Sequence, residues 1–224
     1  MKITIALLLS LFVISFEFIV IVVKNRKKSS EENPLYLILK TSLMCLIFLA
    51  GFLFYYFFQD HTDLSPLFLI MALFISIGGD FFLAAGKKFF LFGLIFFLIA
   101  HIFYILSFYF LYPTYILIPG IIIFILIFLY YFQILFPHLK KYSVPVGLYV
   151  LIIGTMVYFS IIQYFTGKHP FIKSLLILVG GLLFFISDGF LSYDKFVKKL
   201  KYRNFLVLGT YFTAQLFFAL SCLY

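Results

Sequence analysis

The chain has 224 residues, 65% of them apolar and only 11% charged, with a mean hydropathy of +1.19. That balance excludes a soluble globular domain and describes an integral membrane protein. The net charge of +9 resides in short connectors between apolar runs, so it calls for no nucleic-acid partner; a basic rim of this kind attracts anionic lipid headgroups.

Apolar runs of about 20 residues, bounded by charge, proline or polar clusters, predict eight transmembrane helices. In chain order they cover 3–23, 35–57, 65–85, 89–111, 114–136, 144–165, 172–192 and 204–223. The fold class is therefore all-α, a polytopic membrane bundle forming a single transmembrane domain over 1–224. A β-barrel would alternate apolar and polar residues, whereas runs such as IIIFILIFLYYF (121–132) are apolar on every side. The first run follows Lys2 but has no small-residue cleavage site and ends in Lys24, Arg26, Lys27 and Lys28. It reads as a membrane anchor and not as a signal peptide.

Connector charges orient the helices, because Lys and Arg are retained on the cytoplasmic side. The odd-numbered connectors carry Lys24 to Lys28, then Lys87 and Lys88, then Lys140 and Lys141, then Lys195, Lys198, Lys199, Lys201 and Arg203. The even-numbered connectors hold only Lys168 and Lys173, with Asp60, His61 and Asp63 in the first and Tyr112, Pro113 and Thr114 in the second. Both termini are expected to be extracytoplasmic, in the cell membrane if the source is prokaryotic. Tyr55, Tyr56, Tyr112 and Tyr115 fit an aromatic belt at the outer boundary.

Three carboxylates and one lysine, Glu17, Asp80, Asp188 and Lys40, lie inside these runs at a similar distance from a run's basic end. Such groups are costly in a bilayer and mark functional sites. Asp80 stands seven positions before Lys87, Asp188 seven before Lys195 and Glu17 seven before Lys24. At 1.5 Å per residue each sits roughly 10 Å inside the inner boundary. Lys40, six residues past Pro34, reaches a similar level, as do Tyr149 and Tyr211, while Gln215 and His101 lie deeper. His101 and Tyr104 share a helix face at i,i+3, and Tyr211 and Gln215 at i,i+4. Singly these are ordinary buried polar residues, and Lys40 with one carboxylate, Glu17 competing, is an ordinary structural ion pair. Together they predict the wall of one polar cavity opening toward the cytoplasmic leaflet.

Residues 78–89, GGDFFLAAGKKF, echo 186–197, ISDGFLSYDKFV, at an offset of 108 that superposes Asp80 on Asp188 and Lys87 on Lys195. The echo suggests two parallel four-helix repeats, with halves of about 1–112 and 113–224, as in several transporter architectures. No HExxH or ExxH spacing occurs, and Cys45 and Cys222 form no CxxC pattern, so neither a catalytic metal nor a disulfide framework is expected. GxSxG, Walker and GxGxxG signatures are also missing, which removes serine-hydrolase, nucleotide and dinucleotide chemistry.

The segments GGDFFL (78–83), F-x3-G with FFLIAHIFY (89–104), PVGLYVLIIGTM (145–156), GGLLFFISDGFL (180–191) and TYFTAQLFFALS (210–221) resemble the YhhN family, which includes the lysoplasmalogenases. The resemblance runs from the second helix to the C-terminus and leaves Glu17 outside. Lys40 matches the lysine of the family's second helix, although Thr41 stands where that pattern usually continues with proline. The resemblance implies an eight-helix enzyme, with no metal or organic cofactor, that hydrolyses the sn-1 vinyl ether of a lysoplasmalogen to a fatty aldehyde and glycerophosphoethanolamine or glycerophosphocholine.

Vinyl ether hydrolysis needs an acid to protonate the β-carbon and a base to activate water. Asp80 and Asp188 are the expected catalytic pair, in undecided order, with Lys40 holding one of them ionised. His101 is expected to orient water or relay a proton, and Tyr104, Tyr149, Tyr211 and Gln215 to bind substrate oxygens. Lys87, Lys88, Lys140, Lys141 and Lys198 are candidates for the phosphate of a lysophospholipid. Two other classes fit the same residues: a proton- or cation-coupled small-molecule or lipid transporter, and a non-catalytic lipid-binding membrane protein.

Overall fold

The computed structural model describes residues 2–26, 34–59, 63–109, 118–167 and 169–224. Lys27, Lys28, Asp60, His61, Tyr112 to Tyr115 and Lys168, together with the predicted boundaries at 111 and 114, lie outside the described residues. The described chain is all-α. Its long helices are α1 (Lys2–Arg26), α2 (Pro34–Phe58), α3 (Ser65–Ala85), α4 (Phe90–Tyr109), α5 (Ile118–Ile134), α6 (Ser143–Thr166), α7 (Phe171–Phe196) and α8 (Arg203–Ser221). Seven are long and apolar enough to cross a membrane, and α5, at 17 residues, is shorter. Single turns at Lys87–Phe89, Phe136–Leu139 and Lys140–Tyr142 fill two connectors.

Local chemistry sets the helix ends. Pro66 occupies the first turn of α3, and the Asp63 carboxylate accepts the Ser65 amide at 2.9 Å. Gly86, at φ 130°, ends α3, and Gly167, at φ 65°, ends α6 in the left-handed region that favours glycine. Large apolar side chains such as Leu8, Phe57, Ile95 and Phe171 are more than half exposed, which suits a surface facing lipid.

The tightest pairings are α3 with α4 and α7 with α8; α2 packs on α3 and α8, and α6 on α4 and α7. α1 lies outside against α2 and α8, and α5 outside against α6. Several of these pairings recur at an offset of four helices, α2 on α3 and α6 on α7 among them. The core is aromatic: Tyr104, Phe108, Phe184, Phe212 and Phe218 are fully buried, and the Tyr104 and Phe218 rings meet at 4.5 Å. Lipid tails are as apolar as these side chains, so close packing and hydrogen bonds, more than water exclusion, hold such helices together.

Gly79 shows how tight that packing is. A Cβ there would lie 2.7 Å from the Phe97 ring. That ring is itself held between Phe184 and Tyr211, at centroid distances of 6.1 and 5.7 Å. The close approach of α3 to α4 places Asp80, the next residue, in the middle of the bundle. Gly79→Ala is therefore expected to destabilise the protein by about 1–3 kcal/mol. Thermal unfolding in detergent would show a lowered Tm, and an unchanged Tm would contradict the packing described.

Candidate functional site

Six helices bring ionisable and polar side chains together toward the basic end of the bundle. Lys40 on α2 places its Nζ 2.8 Å from Oδ1 of Asp80 on α3. The Asp80 side chain is 1% exposed and Lys40 is 5% exposed. A carboxylate so enclosed needs a compensating partner, and Lys40 provides it. Glu17, expected to compete for this lysine, instead turns toward α8, where its Oε1 lies 3.4 Å from the position a Cβ on Gly209 would take. Equal depth had put it level with the pair; its direction around α1 separates them.

The second oxygen of Asp80 ends a directed chain of donors. Tyr211 on α8 donates its hydroxyl to Oδ2 at 2.7 Å, Gln215 Nε2 donates to the Tyr211 oxygen at 3.2 Å, and Tyr104 on α4 donates to Gln215 Oε1 at 2.6 Å. Every bond in this chain points its hydrogen toward the carboxylate, which suits an ionised Asp80.

Asp188 on α7 has different surroundings. The hydroxyl of Tyr149 on α6 donates to its Oδ2. Among the described residues no ion pair engages it, although it lies within electrostatic reach of both Lys40 and Asp80. It is partly exposed to the cavity described below, unlike Asp80. Ser187, the preceding residue, donates to the Val207 carbonyl at 2.8 Å and fixes this turn of α7 against α8.

His101 is fully buried, with Nδ1 against the Phe97 carbonyl, so its hydrogen sits on Nδ1 and Nε2 is an acceptor. Its ring lies 5.3 Å from Tyr149 and 4.7 Å from Phe184. It backs the Tyr149–Asp188 pair.

A cavity of about 1870 Å³ opens at the basic end of the bundle, with Lys40, Asp80, Asp188 and Tyr211 in its wall. Lys24, Lys87, Lys140, Lys141, Lys195 and Arg203, drawn from all four odd-numbered connectors, also line it. Of the eight residues expected to carry or support the chemistry, four line this vestibule; of the five lysines expected to meet a phosphate, Lys87, Lys140 and Lys141 line it and Lys88 and Lys198 do not. Tyr149 joins Asp188 in the wall of a narrower apolar cavity beside it. His101, Tyr104 and Gln215, expected to meet water or substrate, line neither of these cavities; His101 packs on Tyr149, and Tyr104 reaches Tyr211 through Gln215. Their depth was readable from sequence, but the large rings of Phe97 and Phe184 fill the space in front of them.

Asp194 and Tyr36 are among the lining residues not singled out as site residues from the sequence. Asp194, 4% exposed, receives Lys199 Nζ and Arg203 Nε at 3.0 Å each and the Leu200 amide at 2.9 Å, folding the α7–α8 connector at the mouth. A lone acid at the head of a run of five cations was the available signal. Tyr36, 5% exposed, carries Lys24 over its ring at 4.1 Å. Among the described residues, no group of three or more His, Cys, Asp or Glu is placed to hold a metal ion.

Fold and site together define a multi-pass helical membrane protein with a carboxylate-lined chamber open at one end. Residues 35–222, most of the chain, match the YhhN family, and the protein belongs to that family. No curated protein and no solved structure matches the chain.

Lys40→Met leaves Asp80 enclosed with no cation beside it and is expected to cost about 3–5 kcal/mol. Adding Asp80→Asn removes the orphaned charge and should recover most of the loss. Unfolding in detergent of both single variants and the double variant measures this coupling, and simple additivity would show that the pair does not interact.

Proposed function

We propose that the protein hydrolyses the sn-1 vinyl ether bond of lysoplasmalogens, releasing a fatty aldehyde and glycerophosphoethanolamine or glycerophosphocholine, with Asp188 as acid and Asp80 as base. One observation carries this reading: two carboxylates share one chamber but differ in charge compensation. Lys40 and the Tyr211 hydroxyl face Asp80, whereas among the described residues Asp188 accepts from the Tyr149 hydroxyl and has no ion-pair partner. Pairs of acids in unequal surroundings divide acid and base roles in this way. Membership of the YhhN family agrees with the reading.

Asp188 gives its proton to the β-carbon of the vinyl ether, leaving a cation shared between the α-carbon and the ether oxygen. Asp80 takes a proton from a water as the water oxygen bonds to the α-carbon, forming a hemiacetal. Asp188, now a carboxylate, removes the hemiacetal hydroxyl proton while Asp80 returns its own to the departing glycerol oxygen. Both aspartates end as they began, and one water has been consumed. Tyr149 and Tyr211 hold the two carboxylates in position, and Lys40 steadies Asp80 while it is charged. His101 keeps the Tyr149 ring seated.

The substrate is a single-chain lysophospholipid drawn from surrounding membrane lipid, and the cations at the mouth suit its phosphate. Under the positive-inside rule the basic end faces the cytoplasm. The termini meet at the other end, where Lys2 Nζ donates to the Leu223 carbonyl at 2.8 Å, which on the same rule is the extracytoplasmic end. The proposed repeat would pair the aspartates and their neighbours across the two halves. Asp80 and Asp188, Lys40 and Tyr149, and His101 and Tyr211 stand 108, 109 and 110 residues apart. On this reading the second half carries a tyrosine where the first carries the lysine, which is the source of the asymmetry. A transporter is the weaker reading, because the fully buried rings of Phe184, Tyr104 and Phe218 stand behind the vestibule.

Asp80→Asn and Asp188→Asn should each lower turnover at least about 10²-fold. Aldehyde release from lysoplasmenylethanolamine by purified protein measures the loss, with Tm as a control for folding. Near-normal hydrolysis by either folded variant would refute the assignment.

A further inference from the structure

A second cavity leaves the vestibule beside Asp188 and runs between α4, α5, α6 and α7. Leu94, Val146, Val150, Ile153 and Phe185 give it an apolar wall. From Val146 to Ile153 it follows α6 for about 10 Å. Asp188 and Lys195 line both cavities, so polar and apolar spaces join at the carboxylate.

Gly189, the residue after Asp188, faces this space. Gly51, Gly78, Gly79, Gly93, Gly180 and Gly181 serve helix packing, since a Cβ at any of them would come within 2.9 Å of a neighbour. A Cβ on Gly189 would meet nothing within 4 Å, yet the residue lies inside α7, where glycine weakens a helix relative to alanine. Neither helix contact nor backbone geometry requires it. Gly147 in α6 is equally unhindered, but Gly189 borders the slot beside the carboxylate and keeps it open.

We propose that this apolar slot binds the unbranched hydrocarbon chain of the lipid, and that Gly189 determines which chains fit by leaving room for them to pass Asp188. The proposal rests on the hydrolase reading and extends it to chain selection. The complementarity is of two kinds: cations around the vestibule match an anionic headgroup, and the apolar slot matches a chain too greasy for the vestibule. A vinyl ether joins the headgroup side of the molecule to its chain, and Asp188 stands where the two spaces meet. An occupied slot thus brings the bond to be protonated to the acid.

Gly189→Leu fills the slot, and Gly189→Ala, whose Cβ meets no atom, fills it partly without strain. Two readouts test them in detergent: kcat/KM for hexenyl and hexadecenyl lysoplasmenylethanolamine, and photo-crosslinking by a saturated 1-O-alkyl lysolipid with a diazirine on its chain. Gly189→Leu should lose about 10-fold more activity on the long chain than on the short one. Wild-type crosslinks should fall on Leu94 and Val150 and vanish in this variant. If Gly189→Leu does not fold, Gly189→Ala should move both readouts in the same direction by a smaller factor. Equal losses on both chains, or crosslinks unchanged by the substitutions, would overturn the proposal. Crosslinks within the slot without aldehyde release would uphold the chain site and overturn the hydrolase reading; aldehyde release with crosslinks elsewhere would do the reverse.

Discussion

The site depends on a carboxylate that is almost wholly enclosed, placed among helices whose outer faces suit lipid. Asp80 is tolerable there only because Lys40 reaches it at 2.8 Å and Tyr211 at 2.7 Å. Desolvating two charges is expensive, and an ion pair recovers that cost only with good geometry and further hydrogen bonds. Here the further bonds form an ordered series, Tyr104 to Gln215 to Tyr211 to Asp80, with every hydrogen directed at the acid. The series ties α4 and α8 to α3, and the ion pair adds α2, so electrostatic compensation and helix arrangement are one constraint.

Asp188 is the counterweight. It occupies the corresponding place on α7, yet its direct partner is the neutral hydroxyl of Tyr149, and it faces open space. A bundle with two equally compensated acids would have a structural ion-pair network and little chemistry. Unequal compensation at one chamber is what makes acid and base roles separable. On the proposed reading the apolar slot beside Asp188 completes the arrangement, because a lipid-cleaving site needs somewhere dry for the chain as well as somewhere polar for the headgroup.

Much of this was legible in the sequence because depth in a membrane helix is a count of residues. Long apolar runs bounded by lysines identified the helices to within a few residues, and equal spacing from those lysines put Asp80, Asp188, Lys40, Tyr149 and Tyr211 at a common level. Direction around the helix axis was harder to read, since helices apolar on every side have no clear polar face. Glu17, level with the pair but turned toward Gly209, shows the consequence. His101, Tyr104 and Gln215 were correctly placed among the same helices, but the rings in front of them could not be foreseen from one-dimensional spacing. Asp194 left a local signal, an acid ahead of five cations of which Lys199 and Arg203 fold back on it, but the slot at Gly189 left none, because it depends on which side chains from distant helices leave space or fill it.

The central claim is that Asp80 and Asp188 act on one molecule from one chamber. A structure of the protein with a saturated 1-O-alkyl lysolipid, whose ether cannot be protonated at carbon, tests it most directly. The ether oxygen and its first chain carbon are predicted to lie between the two carboxylates, with Asp188 on the chain side. Density for the lipid on the outer surface of the bundle, with the space between the aspartates unchanged, would contradict it.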